Sequence, residues 1–306
     1  MLELRSASLH ATFSALGARL VSLFVGDTDV VAGGGTDAEF LAGDWTAGAI
    51  CGRVAGRISH ARFSLDGRTV HVTPNMGEHQ LHGGPVNFGN TMWEHEAAKN
   101  AVIFRKHSPD GDQGFPGSVD ATATYGLEGN VLSLDLSAVT TKPTMINLTN
   151  HAYWNLAGKG STFDQIAAID GHSYLPLDEL KLPTGEIRKV DGSRWDFRKP
   201  RRIAEAYDYA FILNGRRGEM KKACRLSDPA SGRAMELHCT ECCLQIYTAD
   251  HWGPAMPGRD GPLRQHGALA LEAQNFPDAP THANFSSAVL RPGETYRHRI
   301  EWRFGA

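Results

Sequence analysis

The chain has 306 residues, 41% of them hydrophobic, and is therefore long enough to bury a sizeable core. Its 31 lysines and arginines against 34 aspartates and glutamates give a formal net charge of -3, so it lacks the basic surface that nucleic acids and anionic membranes select. Five cysteines, an odd number, disfavour a disulfide framework. A small uncharged ligand is the class of partner that this composition leaves open.

The first patterned segment, ARLVSLFVGD at 18–27, alternates side chains as a strand does. Arg19 interrupts the apolar run that a secretory signal peptide requires. No stretch approaches the roughly 20 consecutive apolar residues of a membrane-spanning helix. We therefore expect a soluble cytoplasmic protein with no membrane partner.

Further strands are predicted along the chain. RFSL and RTVHVT flank Asp66-Gly67, a two-residue hairpin signal. VLSLDLSAV at 131–139 and TYRHRIEWRF at 295–304 also alternate between apolar and polar residues. Helical periodicity is scarce, and neither a repeat nor a Pro-rich linker divides the chain. The sequence predicts an all-β antiparallel sandwich or barrel, with 1–306 as a single domain.

Three long stretches are poor in strand signals: 31–50, 79–92 and 249–267. Loops of this length in a compact domain are usually functional or disordered. The last two stretches contain histidines, including His82 before two glycines in LHGG, where a backbone turn is expected to approach another group closely. We therefore expect each stretch to be either a functional loop or a disordered segment.

Residues 145–156, MINLTNHAYWNL, place a histidine between asparagines and aromatic residues. With a side-chain period of two, His151 and Tyr153 share one face of a strand and Trp154 lies on the other. Considered alone, such a histidine is more often structural than catalytic, because general acid or base catalysis requires a suitably placed partner.

A possible partner occurs in GALALEAQNF at 267–276, where small residues precede Glu272 on one face of a strand. If that face lines a pocket, desolvation favours a neutral carboxyl group and moves its pKa toward the range of a general base. Considered alone, the stretch more readily fits a solvent-facing glutamate on an edge strand.

Several other catalytic patterns are missing or weak. The chain has no Gly-x-Ser-x-Gly elbow, no His-Glu-x-x-His zinc motif and no phosphate-binding glycine loop. HCTECC at 238–243 groups Cys239, Cys242 and Cys243, but a zinc site usually requires two separated ligand pairs, so a metal is disfavoured there. Arg57 in GRVAGRI and Asp208 in AYDYAFIL are weak candidates when each is taken alone.

Taken together, the motifs resemble the aldose 1-epimerase, or galactose mutarotase, family. The matching segments follow the family's order and approximate spacing over nearly the whole chain: GRVAGRI, LHGG, NLTNHAYWNL, LPTGEI, DFR, YDYAFIL, LQIYTAD, LEAQNFPDA and VLRPGETY. Each motif alone is a weak match, whereas nine in order are hard to obtain by chance. The resemblance implies the family's large twisted antiparallel β-sandwich, in agreement with the strand prediction.

The resemblance also implies a reaction and a set of site residues. Glu272 would be the general base at the C1 hydroxyl of a free aldohexose such as galactose or glucose, and His151 the general acid at the ring oxygen. The ring would open, rotate about C1–C2 and close as the other anomer, with neither a metal nor another cofactor. The resemblance assigns four further residues to sugar binding: Arg57, His82, Asp208 and Gln245.

This chain departs from the family pattern at three positions. Gly56 stands where the family commonly has Asn, Tyr209 follows Asp208 where His or Asn is usual, and Trp195 replaces a common Phe. We expect these changes to alter the binding wall and not the acid and base. Trp154, Trp195, Tyr209 and Phe276 could stack on the sugar, although each is as readily a core residue.

Two alternatives remain open on the sequence. An epimerase on the same fold could act on a hexose 6-phosphate or another modified aldose, since RKPRRI at 198–203 supplies the clustered cations that phosphate requires. A non-catalytic carbohydrate-binding protein could retain the same pocket, although binding alone does not require both an acid and a base. The preferred sugar, the oligomeric state and any role of the three clustered cysteines are not predicted.

Overall fold

The computed structural model describes residues 1–305. Strands β1 to β14 are, in chain order, Leu2–Arg5, Leu9–Ser14, Arg19–Val25, Thr28–Asp29, Val31–Ala32, Ile50–Cys51, Arg57–Ile58, Arg62–Leu65, Arg68–His71, Gln80–Leu81, Glu94–Ala98, Ala101–Ser108, Val119–Glu128 and Val131–Thr140. Strands β15 to β28 are Thr144–Met145, Thr149–Asn150, Tyr153–Trp154, Ile166–Ile169, Gly171–Tyr174, Arg188–Lys189, Arg201–Arg202, Asp208–Leu213, Lys221–Ser227, Ala234–Cys239, Cys243–Tyr247, Leu269–Gln274, Val289–Leu290 and Tyr296–Gly305.

Helices are few and short. One α-helix, α1, spans Asp37–Ala42, and the 3₁₀ turns are Ser59–Ala61, Phe88–Asn90, Asp112–Gly114, Thr162–Asp164 and Ala279–Thr281. Thr36 caps α1 by accepting a hydrogen bond from the Glu39 backbone N–H, and the Glu39 carboxylate in turn accepts from the Thr36 N–H. Among residues 1–305, no helix is long and apolar enough to cross a bilayer.

Two large antiparallel sheets dominate the structure. A nine-stranded sheet has the order β11-β12-β13-β14-β28-β24-β23-β18-β21, and a seven-stranded sheet has the order β20-β19-β22-β25-β26-β17-β5. The main hydrophobic core draws on both sheets. In it the Trp154 ring of β17 lies 5.5 Å, between centroids, from the Trp302 ring of β28. The sheets therefore pack face to face, which confirms the predicted all-β sandwich.

The strands read from the sequence are present because their patterns are local. In β14, the side chains alternate between buried and more exposed positions along all ten residues. The predicted hairpin joins β8 and β9 through Asp66 and Gly67, whose φ angles are 49° and 76°. Two consecutive residues with positive φ match the geometry of a type I′ turn, which Asp-Gly favours.

Strand β26 lies inside the seven-stranded sheet, between β25 and β17. Leu269 and Leu271 join the main core, whereas Ala270 packs on the other face in a separate cluster with Tyr153 and Trp252. The side-chain period of two therefore turns Glu272 away from the main core. The alternative of a solvent-facing glutamate on an edge strand is wrong.

Candidate active site

A cavity of about 370 Å³ lies on the face of the seven-stranded sheet that carries Glu272. Its volume falls in the range of small-molecule sites. Strands β17, β22, β25 and β26 contribute its floor. The three strand-poor stretches all reach its wall, through residues 43–46, 81–82 and the side chains of His251 and Met256. The strands and the three loops thus meet at one cavity.

All the site residues named from the sequence line this cavity: Arg57, His82, His151, Asp208, Gln245 and Glu272. Strand register brings part of the set together, because Gln245 of β25 lies directly opposite Glu272 of β26. Residues directly opposite in an antiparallel pair project to the same face of the sheet. The structure therefore brings these residues together at one cavity, while the role of each residue stays a prediction.

His151 and Glu272 form a deeply buried part of the site. The His151 Nε2 atom lies 3.4 Å from the Glu272 Oε1 atom, and their side chains are only 4% and 3% exposed. Burial raises the pKa of the Glu272 carboxyl above its ordinary value, although the neighbouring His151 opposes this effect. A carboxyl with a raised pKa next to an imidazole has the chemistry of a base and acid pair.

The backbone around His151 is held from both sides. Its N–H donates to the Ala49 carbonyl at 2.9 Å, and its carbonyl accepts from the Gly48 N–H at 3.0 Å. His151 itself lies between β16 and β17, so the expected continuous strand is interrupted at the histidine. Tyr153 and Trp154 still lie on opposite faces as predicted, since Tyr153 lines the cavity and Trp154 joins the main core.

His82 sits at the turn before Gly83, as expected for a close backbone approach. A Cβ added to Gly83, whose φ is +95°, would lie only 2.0 Å from the Gly52 carbonyl oxygen. The His82 Nδ1 atom accepts a hydrogen bond from the Gly56 N–H at 3.2 Å. Burial, together with the nearby His151 and Arg57, lowers the pKa of His82 well below its ordinary value. His82 is therefore neutral, with its proton on Nε2.

The same tautomer bears on metal binding. His82, His151 and Glu272 bring candidate ligand atoms within 4.8 Å of one another. A neutral imidazole that accepts at Nδ1 carries its proton on Nε2, which is then a donor and not a metal ligand. His82 is thus better suited to donate a hydrogen bond to an oxygen atom in the cavity than to hold a metal ion.

Arg57, Asp208 and Gln245 form a second polar group in the cavity. The Arg57 Nη2 atom donates to Asp208 Oδ2 at 3.2 Å, and Gln245 Nε2 donates to Asp208 Oδ1 at 2.6 Å. These contacts orient the carboxylate and offset its charge. The buried Arg57 Nε–H lacks a hydrogen-bond partner among residues 1–305.

Sequence reasoning missed a third polar group, centred on Asp44. Its Oδ2 accepts from the Trp252 indole N–H at 2.7 Å and lies 3.2 Å from His251 Nε2. Its Oδ1 accepts from the backbone N–H and the hydroxyl of Thr46. The sequence offered only a general indication of this group: Asp44 lies in one strand-poor stretch, and both His251 and Trp252 lie in another.

The aromatic lining also differs from expectation. Trp45, Tyr153 and Tyr247 line the cavity. The four aromatic residues considered for sugar stacking do not line it: Trp154, Trp195, Tyr209 and Phe276. Trp154 belongs to the main core, whereas Phe276 packs against another aromatic ring outside the cavity. The alternative given for these four residues, that they pack within the protein and do not stack on a sugar, is correct.

Of the three departures from the family pattern, only Gly56 lies on the cavity wall. Trp195 and Tyr209 pack against each other, with ring centroids 5.3 Å apart, and both contact Tyr174. The expectation that all three alter the wall directly is therefore wrong for Trp195 and Tyr209, because their side chains are used in packing beside the cavity.

The basic run and the cysteine group both lie outside the cavity. In 198–203, Arg198 pairs with Asp191 and Asp196, and Arg202 pairs with Asp164. The cysteines of 239–243 are free thiols, and Cys242 Sγ lies 3.2 Å from Asn275 Oδ1. The cavity wall thus has Arg57 as its sole arginine or lysine among residues 1–305.

Comparisons with known proteins identify the family. The family model described as Aldose 1-epimerase matches residues 1–303. The chain belongs to the aldose 1-epimerase family. It is 36% identical to galactose mutarotase of Rattus norvegicus, over 99% of this chain and 93% of that protein. It is 34% identical to aldose 1-epimerase of Escherichia coli, over 84% of this chain and 79% of that protein.

A solved structure agrees with this assignment. An aldose epimerase homologue from C. elegans superimposes with a TM-score of 0.94, at 28% identity, over 99% of this chain and 98% of that one. This similarity confirms the mutarotase-type β-sandwich implied by the sequence motifs.

Proposed function

We propose that this member of the aldose 1-epimerase family interconverts the α and β anomers of a free aldohexose, with Glu272 as general base and His151 as general acid. One observation carries the assignment of these residues. The His151 Nε2 and Glu272 Oε1 atoms lie 3.4 Å apart, and both side chains line the cavity. A general acid and a general base that act on neighbouring oxygens of one substrate need to lie this close together.

The separation of the two groups suits the reaction. Ring opening removes a proton from the C1 hydroxyl and adds one to the ring oxygen, and both oxygens are bonded to C1. The base and the acid must therefore act within a few ångströms of each other, as Glu272 Oε1 and His151 Nε2 do at 3.4 Å. In the reverse direction the two groups exchange protonation states, so one pair serves both anomers.

The remaining residues would bind the sugar without taking part in proton transfer. Neutral His82 would donate its Nε2 proton to an oxygen near the anomeric centre. Arg57 and Asp208 would bind hydroxyl groups through charge-assisted hydrogen bonds, with Asp208 held in place by Gln245. A pocket built in this way favours an uncharged sugar such as galactose or glucose.

The charge of the cavity argues against a hexose 6-phosphate. Its wall carries three carboxylates, Asp44, Asp208 and Glu272, and Arg57 is already paired with Asp208. Phosphate recognition requires clustered free cations. The run at 198–203, which motivated this alternative, lies outside the cavity. We therefore expect phosphorylated sugars to be poor substrates.

We further propose that residues 1–306 act as one domain. The family model spans 1–303, and the main core takes side chains from both large sheets. Limited proteolysis followed by size exclusion would test this, since a second domain would be released as a stable fragment.

Polarimetry of freshly dissolved α-galactose, α-glucose and galactose 6-phosphate tests the function. We expect the wild type to accelerate mutarotation of the free sugars above the spontaneous rate. Glu272→Gln and His151→Ala should each lose roughly 10²- to 10⁴-fold of the enzymatic rate. Matched controls are Glu236→Gln and His298→Asn, which change the same residue types outside the cavity and should retain activity.

Each other outcome has a definite meaning. Binding of a free sugar without acceleration would identify a non-catalytic carbohydrate-binding protein. Acceleration confined to the 6-phosphate would establish the rejected alternative. Full activity in either active-site variant would remove that residue from the proposed pair.

A further inference from the structure

The ring of His151 is held by few hydrogen bonds. Its Nδ1 has no partner among residues 1–305, and its Nε2 faces the Glu272 carboxylate at 3.4 Å. Catalytic histidines are commonly oriented by a hydrogen bond at the nitrogen that does not take part in the reaction. Because the structure provides no such bond, the plane of this ring must be set by packing.

Aromatic rings supply that packing. The Tyr153 ring centroid lies 5.0 Å from that of His151 at an interplanar angle of 44°, and His82 lies edge-on at 5.2 Å. Behind Tyr153, the Trp252 ring follows at 4.4 Å and 45°. Trp252, Tyr153 and His151 therefore form a continuous stack, which we call the histidine stack. Trp252 does not itself line the cavity.

Asp44 holds the far end of the histidine stack. It accepts the indole N–H of Trp252 at 2.7 Å, across 208 positions of sequence. Burial alone disfavours a charged carboxyl, but the hydrogen bond from His251 and the nearby His151 hold the pKa of Asp44 below its usual range. Asp44 is thus an ionised acceptor, and the hydrogen bond that it receives from Trp252 is of the stronger kind.

Asp44 has no free oxygen lone pair for a sugar. Four donor groups surround its two oxygens: the Thr46 N–H, the Thr46 hydroxyl, the Trp252 N–H and His251 Nε2. Two carboxylate oxygens offer about four acceptor positions. Asp44 therefore acts on the protein and not on the ligand.

We propose that Asp44 is a positioning residue, which fixes the Trp252 indole and, through the histidine stack, the catalytic orientation of His151. This proposal rests on the proposed function of His151 as the general acid. Ring orientation matters because proton transfer requires the donor nitrogen to point at the ring oxygen, and small misplacements lower rates steeply.

Two substitutions test the proposal. Trp252→Phe removes the indole N–H and keeps an aromatic ring, and Asp44→Ala removes the acceptor. We expect each variant to lower kcat roughly 10- to 100-fold and to leave KM within about twofold, because the sugar-binding groups are untouched. Asp44→Asn keeps one acceptor oxygen and should recover part of the lost kcat.

A matched control separates positioning from general stability. Trp93 is also buried, and its indole N–H donates to the Phe88 carbonyl at 2.9 Å, outside the histidine stack. Trp93→Phe should lose a similar amount of thermal stability and keep kcat. If Trp252→Phe and Trp93→Phe both retain wild-type kcat, the proposal is wrong.

A double mutant and a spectroscopic readout complete the test. In a His151→Ala background, Asp44→Ala should cause no further loss of the residual rate. A loss equal to that seen in the wild-type background would mean that Asp44 acts independently of His151, and would overturn the proposal. The ring proton resonances of His151, read by NMR, should shift in Trp252→Phe and not in Trp93→Phe.

The NMR measurement distinguishes a failure of the positioning proposal from a failure of the proposed function. A wild-type protein that does not accelerate mutarotation would refute the catalytic role of His151. The His151 resonances would then decide whether Asp44 orients the ring. Unchanged resonances in Trp252→Phe would refute the positioning role itself.

Discussion

Replacing Arg19 by Met should destabilise the protein strongly. Its side chain is fully buried and donates four hydrogen bonds to backbone carbonyls, with donor to acceptor distances of 2.8 to 3.1 Å: Leu16, Trp45, Ala47 and Gly89. Trp45 and Ala47 belong to the strand-poor stretch 31–50, which carries Asp44, and Gly89 belongs to the stretch 79–92, which carries His82. One guanidinium thus joins two loops of the candidate active site.

The magnitude follows from two opposing effects. Hydrogen bonds from a charged donor contribute roughly 1.5 to 3 kcal/mol each. Burial lowers the pKa of Arg19 from 12.5 to about 10, which corresponds to a cost of about 3 kcal/mol for the charged form at about 1.4 kcal/mol per pKa unit. Four bonds outweigh this cost, and Met would leave four carbonyls unpaired. We expect a loss of at least about 3 kcal/mol.

Urea or thermal unfolding followed by tryptophan fluorescence measures this loss, which should appear as a fall in Tm of at least roughly 5 °C. Arg19→Lys, with a compact ammonium in place of the planar fork, should lie between the wild type and Arg19→Met. The matched control is Arg62→Met on the exposed side of β8, expected within about 0.5 kcal/mol of the wild type. An Arg19→Met variant within about 1 kcal/mol of the wild type would refute this reasoning.

Three further predictions concern the site. The general base must be ionised, and burial raises the pKa of the Glu272 carboxyl above its ordinary value of 4.5. We therefore expect kcat/KM to fall as the pH drops through a pKa above 4.5, which polarimetric rates between about pH 4 and pH 8 would measure. A fall in kcat/KM centred at or below pH 4.5 would contradict this prediction. Gly83→Ala should lower Tm and activity together, because the added Cβ meets the Gly52 carbonyl oxygen at 2.0 Å. Asp208→Ala should raise KM more than it lowers kcat, because it removes the carboxylate paired with Arg57 and leaves His151 and Glu272 unchanged. A fall in kcat with an unchanged KM would instead mean that Asp208 takes part in the proton transfers.

Much of the fold could be predicted from local patterns. The alternation of β14 and the turn at Asp66 and Gly67 depend on side-chain period and on φ preferences, which neighbouring residues determine. The side-chain period of two also predicts that Glu272 and Leu271 lie on opposite faces of β26, as they do. It did not indicate whether that strand lay at an edge or in the interior, because strand order depends on pairing partners far away in the chain.

The candidate site divides in the same way. The residue types and their order along the chain were sufficient to identify the family and to name His151 and Glu272. The roles of Asp44 and Trp252 could not be read in this manner, since each lies in a loop without a period and the two meet across 208 positions. The resemblance predicts that Trp195 affects the binding wall, but its ring stacks on Tyr174 outside the cavity.

The sequence by itself determined the all-β class, the hairpin and the identity of the proposed acid and base, because periodicity, turn chemistry and family motifs are all properties of short segments. Only the tertiary structure decided that β26 is an interior strand, that three loops reach the cavity beside it, and that an aromatic stack connects His151 to Trp252, whose indole N–H donates to Asp44. The physical reason is that burial, shared hydrogen bonds and ring packing arise between segments that become neighbours only when the sheets assemble.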